Sequence, residues 1–542
     1  MKIALAQVNF HIGNFTGNTN LIKNKINEAR KLGAQLVIFP ELALSGYPPL
    51  DFLEFNHFTK ECSDAIDEIA ILCDDIDVII GSPSINPVKE GKNLFNSAYF
   101  IAKGKVARII NKSLLPTYDV FDEYRYFEPN KKYETIVSNG VRIALTICED
   151  LWNEEDDPMY VSSPMEHLMQ HQPELIINIA ASPFDHSHRE KRIDILKRNV
   201  NKYDIPLVYV NHVGAQTDLL FDGGSMHINR KGLIINELKY FEEDLQIVEP
   251  FASSGPLVQS HQSKSERIHD ALVMGIRDYF HKLKFTKATL GLSGGIDSAV
   301  VLAIASEALG PENVLPVMMP SKYSSDHSLT DSIELCKNLN IDPDKISIQK
   351  INEAFLADLD YKFSDTEFNV AEENIQSRIR GTLLMALSNK FGHILLNTSN
   401  KSELAVGYGT LYGDMCGGIS VIGDLYKRDV YELARFLNTS QNIIPENIIT
   451  KEPSAELRPD QKDSDSLPEY DLLDSILYQY IELQQGYDRI LEQGFEKETV
   501  KKVLKLVNSS EYKRFQFAPI LRVSPKSFGF GRRMPLVAKY LN

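Results

Sequence analysis

Cysteine is scarce in this sequence: only five occur among 542 residues, and they are widely scattered (Cys62, Cys73, Cys148, Cys336 and Cys416). Such a pattern excludes a small disulfide-stapled scaffold and is typical of reduced thiols in a cytoplasm. No apolar run reaches the roughly 18 residues that a membrane span needs. The N-terminal stretch MKIALAQVNF lacks the cleavage signature of a signal peptide, and IALAQV predicts a first strand instead. We therefore expect a cytoplasmic protein without a membrane partner.

Positive charge is also in deficit. The chain has 58 Lys and Arg against 74 Asp and Glu, which gives a net charge of −16. This balance argues against nucleic acid and anionic membrane surfaces as partners. The hydrophobic content of 43% with 24% charged residues is typical of an ordered globular protein. A chain of this length is too long for one core, so two or three domains are expected.

Strand and helix patterns alternate along two long segments of the sequence. Short β-branched runs alternate with helical patterns up to about residue 245, and the alternation resumes near residue 266. The stretch EPFASSGPLVQSHQSKS between them loses periodicity and fills with Ser, Pro, Gly and Gln. The sequence therefore predicts two α/β domains, at residues 1–248 and 266–542, joined by a linker at residues 249–265. The spacing in the second domain predicts a doubly wound parallel sheet.

The stretch LGLSGGIDSAV (residues 290–300) has the form of a phosphate loop but lacks the lysine of the GxxxxGK[ST] motif. Its glycines, Gly294 and Gly295, let backbone N–H groups approach an anion, and the helix that follows adds positive potential at its N-terminus. Serine hydroxyls can donate to phosphate, whereas Asp297 would repel it unless a divalent cation lies between them. This combination suits the pyrophosphate of ATP with Mg²⁺. A capped Gly-Gly turn at a helix start is the alternative interpretation.

Three chemically complementary residues follow apolar runs in the first domain. Glu41 lies in VIFPELALSGYP, Lys112 in IINKSLL and Cys148 in LTICEDLW. Because each follows a predicted strand, we expect all three to meet at one edge of a sheet. A thiol beside a carboxylate base and an ammonium is an activated nucleophile with a cationic partner for an oxyanion. Taken singly, each also fits a plainer interpretation, as a buried core cysteine or a solvated charge.

These motifs resemble two known families. The SGGIDS loop resembles that of the ATP-pyrophosphatase family of AMP-forming ligases, which implies a Rossmann-like domain that adenylates its substrate. The Glu–Lys–Cys set resembles the carbon–nitrogen hydrolase (nitrilase-like) superfamily over residues 1–245, which implies a four-layer αββα sandwich. By that resemblance Glu41 is the general base, Lys112 stabilises the tetrahedral oxyanion and Cys148 forms the thioester. Together the two halves resemble the family of glutamine-dependent NAD⁺ synthetases along the whole chain.

The combined resemblance implies a reaction and a set of contacts. The reaction is ATP-dependent amidation of deamido-NAD⁺ by glutamine-derived ammonia through an adenylated intermediate, with release of AMP, pyrophosphate and glutamate. The family also implies a homo-oligomer. The residues that it implies are Tyr118, Glu123, Ser182 and His188 for glutamine; Gly291, Leu292, Ser293, Gly294, Gly295, Ile296, Asp297, Ser298, Thr398 and Lys427 for ATP; Asn374, Arg378, Glu403, Asp414 and Lys513 for deamido-NAD⁺; and Asp297 and Glu403 for Mg²⁺. Either His188 or the adjacent Arg189 is a candidate for the glutamine carboxylate.

The C-terminal segment is basic in an otherwise acidic chain. From Lys505 to Asn542 there are eight Lys and Arg residues against one acid, Glu511. This asymmetry indicates either an anion site that includes Lys513 or a solvated basic tail.

Two other functions stay open on the sequence. Other amidotransferases, such as GMP synthetase and asparagine synthetase, also carry an SGGxDS loop. Their glutaminases use a Cys-His-Glu triad or an N-terminal cysteine, whereas the candidate thiol here is internal. A catalytically inactive assembly scaffold is the second alternative. Intact triad and loop residues argue against it, and turnover of ATP to AMP would decide.

Overall fold

The computed structural model describes residues 1–154, 157–252, 262–459 and 461–540, and it divides the chain into two units, Met1–His261 and Gln262–Asn542. Part of the predicted linker, residues 253–261, lies outside the described residues. The last strand of the first unit ends at Val248, and the first helix of the second begins at Lys264. Within the described ranges, no helix has the length and apolarity needed to cross a membrane.

The described part of the first unit is built on two six-stranded sheets. Its helices are α1 (Phe15–Lys31), α2 (Asn56–Ala70), α3 (Pro164–Leu168) and α4 (His188–Tyr203). Its strands are β1 (Ile3–Gln7), β2 (Leu36–Ile38), β3 (Asp77–Ile85), β4 (Leu94–Ala102), β5 (Lys105–Asn111), β6 (Ile136–Ser138), β7 (Val141–Ile147), β8 (Leu175–Ala180), β9 (Leu207–Asn211), β10 (Val213–Gln216), β11 (Leu219–Asp222), β12 (Met226–Ile228), β13 (Ile234–Glu237) and β14 (Asp244–Val248). The first sheet has the order β14-β1-β2-β3-β4-β5 and the second has the order β13-β12-β9-β8-β7-β6, while β10 and β11 form a separate ribbon.

Successive side chains of a strand point to opposite faces, and this alternation shows how the two sheets stack. Along β1, Ile3 and Leu5 join the apolar cluster shared with strands of the second sheet. Ala4 and Ala6 point the other way, into the cluster that includes helices α1 and α2. Helix α4 packs against the second sheet's strand β12. The layers therefore follow the order helix, sheet, sheet, helix, and the predicted four-layer αββα sandwich is confirmed.

The second unit has a parallel sheet. Its strands are β15 (Ala288–Gly291), β16 (Val314–Met318), β17 (Asp344–Lys345), β18 (Ile394–Asn397) and β19 (Ile419–Ser420). Its helices are α5 (Lys264–Leu283), α6 (Ile296–Leu309), α7 (Asp326–Asn338), α8 (Gln349–Phe363), α9 (Val370–Phe391), α10 (Lys401–Val406), α11 (Lys427–Leu437), α12 (Glu446–Thr450), α13 (Tyr470–Ile481), α14 (Tyr487–Leu491), α15 (Lys497–Ser509) and α16 (Glu511–Arg514). The strand order is β17-β16-β15-β18-β19 and each pair is parallel, so the predicted doubly wound sheet is confirmed.

The winding of this sheet reverses at its central strand, β15. The chain runs from β15 outward to β16 and β17 on one side, then returns to β18 and β19 on the other. In open parallel sheets, ligands bind beyond the carboxyl ends of the strands at this switch point. The SGGIDS loop occupies that position, because β15 ends at Gly291 and α6 begins at Ile296.

Part of the basic C-terminal segment is buried in the second unit. The guanidinium of Arg514 donates to the carbonyl oxygens of Leu404 and Ala405, at 3.1 and 2.6 Å. Arg522 donates to the carbonyl oxygen of Pro525 at 2.9 Å. Both arginines are buried. These two residues therefore stabilise the fold and do not belong to a solvated tail.

Candidate active sites

The candidate nucleophile lies at a sharp turn between a strand and a helix. Cys148 directly follows β7 and begins a short 3₁₀ helix, Cys148–Leu151, with a backbone φ of 42°. This left-handed conformation is strained for a residue with a Cβ and requires support from its surroundings. Asp150 provides part of that support: its carboxylate accepts hydrogen bonds from the backbone N–H groups of Ile147 (3.1 Å) and Ser113 (2.9 Å).

The candidate base, Glu41, lies in a tightly held loop after β2. Its Oε2 accepts the backbone N–H of Ala181 at 2.9 Å, and its carbonyl oxygen lies 2.6 Å from Nε2 of His212. The loop packs directly on strand β3 at Gly81, where a Cβ would come within 2.3 Å of the backbone nitrogen of Leu42. Backbone contacts on both sides therefore fix the position of the Glu41 carboxylate.

The candidate oxyanion partner, Lys112, is buried between two carboxylates. Its Nζ lies 2.7 Å from Oε1 of Glu41 and 2.8 Å from Oε1 of Glu123, and the Lys112 side chain is 0% exposed. The hydroxyl of Tyr47 donates a second hydrogen bond to Glu123 Oε1, at 2.9 Å. Two carboxylates thus share one ammonium in a buried site.

Burial dominates the electrostatics of this centre. It raises the pKa of the Cys148 thiol well above the ordinary value; the charge of Glu41 adds to this rise and that of Lys112 opposes it. Burial also raises the pKa of Glu123 to about 7, and the charge of Glu41 raises it further, although Lys112 acts in the opposite direction. Cys148 is therefore a thiol at rest, and its attack on a substrate requires a base to remove the proton.

The expectation that these residues meet at one edge of one sheet is wrong. Glu41 and Lys112 follow β2 and β5 of the first sheet, whereas Cys148 follows β7 of the second. They come together because the two sheets stack face to face. The carboxyl ends of strands from both layers then line the same buried centre.

A further carboxylate, that of Glu149, directly follows the nucleophile in the chain. Glu149 is buried, and its Oε1 accepts hydrogen bonds from the hydroxyls of Tyr118 and Tyr160, each at 3.0 Å. Burial raises the pKa of Glu149, and both hydroxyl contacts oppose that shift. Tyr118, predicted from the sequence to contact glutamine, therefore lies next to the residue that follows Cys148.

The two candidates for the glutamine carboxylate occupy different surroundings. Nε2 of His188 lies 3.0 Å from Oγ of Ser182, and the His188 ring stacks on Trp152 with centroids 5.1 Å apart. Arg189 instead donates to Oε1 of Glu237 at 2.7 Å and to the hydroxyl of Tyr240 at 2.8 Å. The structure thus brings His188 to Ser182 and binds Arg189 to another pair of side chains.

In the second unit, the SGGIDS loop has the geometry of an anion cradle. Gly294 has a φ of 80°, and a Cβ there would lie 2.5 Å from the carbonyl oxygen of Ser328. Only glycine suits this position. The loop closes on itself, because Ser293 Oγ accepts the N–H of Gly295 at 3.2 Å and lies 3.2 Å from Ser298 Oγ.

Two carboxylates and one ammonium meet at the end of this loop. Lys427 Nζ lies 2.5 Å from Oδ2 of Asp297 and 3.6 Å from Oε1 of Glu403. Asn400 joins the same acids: its Nδ2 donates to Asp297 Oδ1 at 3.0 Å, and its Oδ1 accepts the N–H of Glu403 at 3.0 Å. Burial and then the charge of Asp297 raise the pKa of Glu403 to about 8, against the effect of Lys427. An ammonium already lies between the carboxylates, which indicates a place suited to a cation.

All ten ATP residues predicted from the sequence line one cavity of about 290 Å³. The apolar part of its wall includes Met319, Leu384 and Leu395. Segment 452–457 lines it as well, and Glu456 Oε1 accepts hydrogen bonds from Lys451 Nζ and Ser328 Oγ, each at 2.8 Å. The predicted site residues in its wall are Gly291, Leu292, Ser293, Gly294, Gly295, Ile296, Asp297, Ser298, Thr398, Glu403, Asp414 and Lys427.

Three residues predicted to bind deamido-NAD⁺ lie around the chain segment 407–414. Oδ1 of Asn374 accepts the hydroxyl of Thr410 at 2.6 Å, and Nε of Arg378 donates to the carbonyl oxygen of Leu411 at 3.3 Å. Lys513 Nζ donates to the carbonyl oxygens of Gly407 and Gly409, each at 2.7 Å. These contacts place Asn374, Arg378 and Lys513 beside the segment that carries Asp414.

The sequence alone does not identify several residues of the two sites. Asn96, Glu149 and Tyr160 are brought to the first site by the fold, and the sequence around Asn96 and Tyr160 carries no local signal. Asn400 could have been found, because Asn400 and Glu403 have the spacing of a helix capping box, which the structure contains.

Comparison with known families agrees with this two-part arrangement. Residues 2–250 match the carbon-nitrogen hydrolase family, and residues 268–517 match the NAD synthase family. Among relatives, a glutamine-dependent NAD(+) synthetase of Synechocystis sp. is 46% identical over 550 residues, covering 99% of each chain. One from Thermotoga maritima is 38% identical over 578 residues, covering 100% of this chain and 99% of its own.

Solved structures show the same likeness. A glutamine-dependent NAD+ synthetase from Acinetobacter baumannii, determined with ADP, is 38% identical with a TM-score of 0.78, covering 99% of this chain and 98% of its own. One from Cytophaga hutchinsonii, at 21% identity, has a TM-score of 0.84 over 99% of this chain and 98% of its own, which shows a shared fold.

Proposed function

The chain belongs to the family of glutamine-dependent NAD⁺ synthetases, and from that premise we propose which of its residues perform each half of the reaction. Enzymes of this family aminate deamido-NAD⁺ with ATP and glutamine. The full-length match separates this chain from the other amidotransferases that share an SGGxDS loop. One observation carries the assignment of residues: the buried contact of Glu41, Lys112 and Glu123 in the first unit, with Cys148 in their electrostatic field.

In the glutaminase half, Cys148 is the nucleophile. Its Sγ bonds to the side-chain amide carbon of glutamine while its proton passes to Glu41. The developing oxyanion is stabilised by the ammonium of Lys112. Glu41 then gives the proton to the departing nitrogen, and ammonia leaves. Water attacks the resulting thioester with Glu41 again as base, so glutamate and the free thiol are restored.

Tyr118, Ser182 and His188 hold glutamine in this proposal, and Glu123 supports the site indirectly. The imidazole of His188, which lies 3.0 Å from Oγ of Ser182 and 3.8 Å from Oδ2 of Asp185, is our candidate for the carboxylate, whereas the guanidinium of Arg189 donates to Glu237 at 2.7 Å. Glu123 acts through its contact with Lys112.

In the synthetase half, a carboxylate oxygen of the nicotinate attacks the α-phosphorus of ATP and pyrophosphate leaves. Ammonia then attacks the acyl carbon of the adenylate, and AMP leaves. Backbone N–H groups of residues 291–298 and the ammonium of Lys427 bind the phosphates, and Thr398 contacts ATP. Asn374, Arg378, Glu403, Asp414 and Lys513 bind deamido-NAD⁺.

Asp297 and Glu403 fit a Mg²⁺ ion. Both supply carboxylate oxygens, and a cationic group, the Lys427 ammonium, already lies between them. Among the residues with described structure, no group of three or more acidic, His or Cys side chains could hold a metal. That agrees with Mg²⁺, which proteins bind through one or two carboxylates plus substrate phosphates. When bound, the ion would neutralise charge on the pyrophosphate.

We propose a homo-oligomer in the cytoplasm. Large apolar side chains on and between α8 and α9 are exposed, among them Phe355, Phe368 and Val370. Exposed apolar surface favours a subunit contact. The cysteines are free, and four of the five are buried, as suits a reducing compartment. Light scattering of Phe355→Asp beside the unaltered protein tests the contact: a fall in mass supports it, and an unchanged oligomer contradicts it.

The test of function is direct. Purified protein receives ATP, Mg²⁺, glutamine and deamido-NAD⁺, and the products are separated by chromatography. We expect NAD⁺, AMP, pyrophosphate and glutamate in equal amounts. Formation of ADP, or absence of NAD⁺ in a folded preparation, would contradict the proposal, and the absence of any ATP turnover would favour the scaffold alternative.

A further inference from the structure

Asn96 contacts Glu41, Glu123 and Lys112 of the glutaminase centre. It lies on strand β4 and is buried. Its Nδ2 donates to Oε1 of Glu41 at 2.6 Å and approaches Oε2 of Glu123 at 3.3 Å. Its backbone carbonyl oxygen accepts the N–H of Lys112 at 2.8 Å. One residue therefore touches both carboxylates and the lysine that lies between them.

These contacts close a ring of hydrogen bonds. The Lys112 ammonium bridges Glu41 and Glu123 on one side, and the Asn96 amide bridges the same carboxylates on the other. Two buried carboxylates repel each other, and a single ammonium neutralises only one of them. The Asn96 amide adds donors to both acids without adding charge.

The ring also joins segments of different rigidity. Glu41 lies in a loop, and Glu123 lies in a short 3₁₀ helix, Glu123–Arg125. Asn96 lies in a nine-residue strand that pairs with β3 on one side and β5 on the other. Groups on such internal strands hold their position better than groups on loops. Asn96 is thus the member of the ring that the sheet fixes.

The hydrogen bonds of Glu41 indicate why the fixed position of Asn96 matters. Its Oε1 accepts both Lys112 and Asn96, and its Oε2 accepts the N–H of Ala181. In the proposed mechanism, the remaining lone pair of Oε2 accepts the thiol proton of Cys148. Without Asn96, the carboxylate would be held by Lys112 and Ala181 alone, so its rotation about the terminal bond would be less restricted and that lone pair less well directed.

We propose that Asn96 is a positioning residue of the glutaminase centre, which holds Glu41 and Glu123 around Lys112 so that Glu41 is aligned to take the proton of Cys148. This inference rests on the proposed function. Asn96 acts through the two glutamates and is not assigned a contact with glutamine.

The experiment compares Asn96→Ala, Asn96→Asp and Asn86→Ala with the unaltered protein. Asn86 is a matched control, because it is also buried and ends the same β3–β4 hairpin, but its side chain bonds only to the backbone of Lys92 and Val88. Glutamine hydrolysis and ammonium-dependent NAD⁺ synthesis are measured on each, together with the melting temperature.

We expect Asn96→Ala to lower kcat for glutamine hydrolysis by about tenfold to a hundredfold, the size of one lost hydrogen bond to a charged group, with KM changed less than about threefold. Asn96→Asp should lower kcat further, because it adds a third carboxylate. Ammonium-dependent synthesis should stay unchanged in all variants. Asn86→Ala should keep its kcat even if its melting temperature falls.

Three outcomes would overturn the inference. An unchanged kcat in Asn96→Ala would remove the positioning role. A rise in KM alone would make Asn96 a glutamine contact. If Asn86→Ala has the same melting temperature as Asn96→Ala and loses as much kcat, the rate is set by general stability and not by alignment. Failure of the unaltered protein to hydrolyse glutamine would instead contradict the proposed function itself.

Discussion

The ammonium of Lys112 lies 2.7 Å from Oε1 of Glu41, and both side chains are 0% exposed. A buried pair of this kind is costly to assemble, and removing one partner leaves an unpaired charge in a dry site. The second carboxylate, Glu123, makes the pairing uneven, since two carboxylates share one ammonium. The chemistry of the first unit follows from this arrangement, and so does its expected response to pH.

The raised pKa of Glu123 predicts an acid limb in the pH–rate profile of glutamine hydrolysis, which is a fall in kcat at low pH. Burial and the charge of Glu41 raise that pKa to about 7, and the ionised form is the one that accepts the hydrogen bond of Lys112. Since the carboxylate protonates as the pH falls through about 7, kcat should fall with it. Stopped assays of ammonia release from pH 5.5 to 8.5 measure the limb.

Glu123→Gln is the control for this limb. It cannot titrate, so its lower activity should no longer change through that pH range. A limb that persists at the same pH in Glu123→Gln would assign it to another group.

The glutamine carboxylate should bind to His188 and not to Arg189. His188→Ala should raise KM for glutamine by about tenfold or more, because a charge-assisted hydrogen bond is lost. Arg189→Ala should leave KM within about twofold. Trp152, the chain's single tryptophan, stacks on His188, so its fluorescence in a Cys148→Ala background should report glutamine binding without turnover. A larger rise in KM for Arg189→Ala than for His188→Ala would reverse the assignment.

Asp297 should be essential to synthesis from either nitrogen source. Asp297→Asn should abolish NAD⁺ formation from glutamine and from ammonium, while glutamine hydrolysis continues. The fold should survive with a loss of about 1–3 kcal/mol, because Glu403 still lies 3.6 Å from the buried Lys427. The control is Asp326→Ala, an exposed aspartate in the first turn of α7. Full synthetase activity in Asp297→Asn would contradict the ATP-site assignment.

Lys513 should discriminate between the two nucleotides. Lys513→Ala should raise KM for deamido-NAD⁺ by about tenfold and KM for ATP much less, the effect of one lost charge-assisted hydrogen bond. Lys505, an exposed residue of α15, provides the control Lys505→Ala. Equal effects of Lys513→Ala on both KM values would mean that its bonds to Gly407 and Gly409 serve the fold alone.

Local sequence was sufficient to single out the candidate residues of each site that lie in continuous motifs. The loop from Ser293 to Ser298 is one such motif, because a strand end, two glycines and a helix start are adjacent in the chain. Cys148 is another, since it directly follows a strongly apolar strand. The strand–helix alternation likewise predicted two α/β domains and the parallel sheet of the second, whereas the αββα sandwich of the first was implied by the family resemblance.

Partners set by sheet pairing could not be predicted in this way. Asn96 meets Glu41 across 55 positions and Glu123 across 27, and only the register of β4 between β3 and β5 brings them together. The meeting of two sheets at Cys148 is also non-local. Strand propensity identifies neither the neighbour of a strand nor the layer that covers it.

The central claim is that Cys148 releases ammonia from glutamine and that a separate ATP-dependent centre consumes it. The decisive measurement supplies glutamine labelled with ¹⁵N in its side-chain amide, together with excess unlabelled ammonium, and follows the mass of the NAD⁺ formed. The unaltered protein should incorporate ¹⁵N, and Cys148→Ala should form only unlabelled NAD⁺ at the rate that ammonium supports. Incorporation of ¹⁵N by Cys148→Ala, or loss of both routes in the folded variant, would contradict the claim.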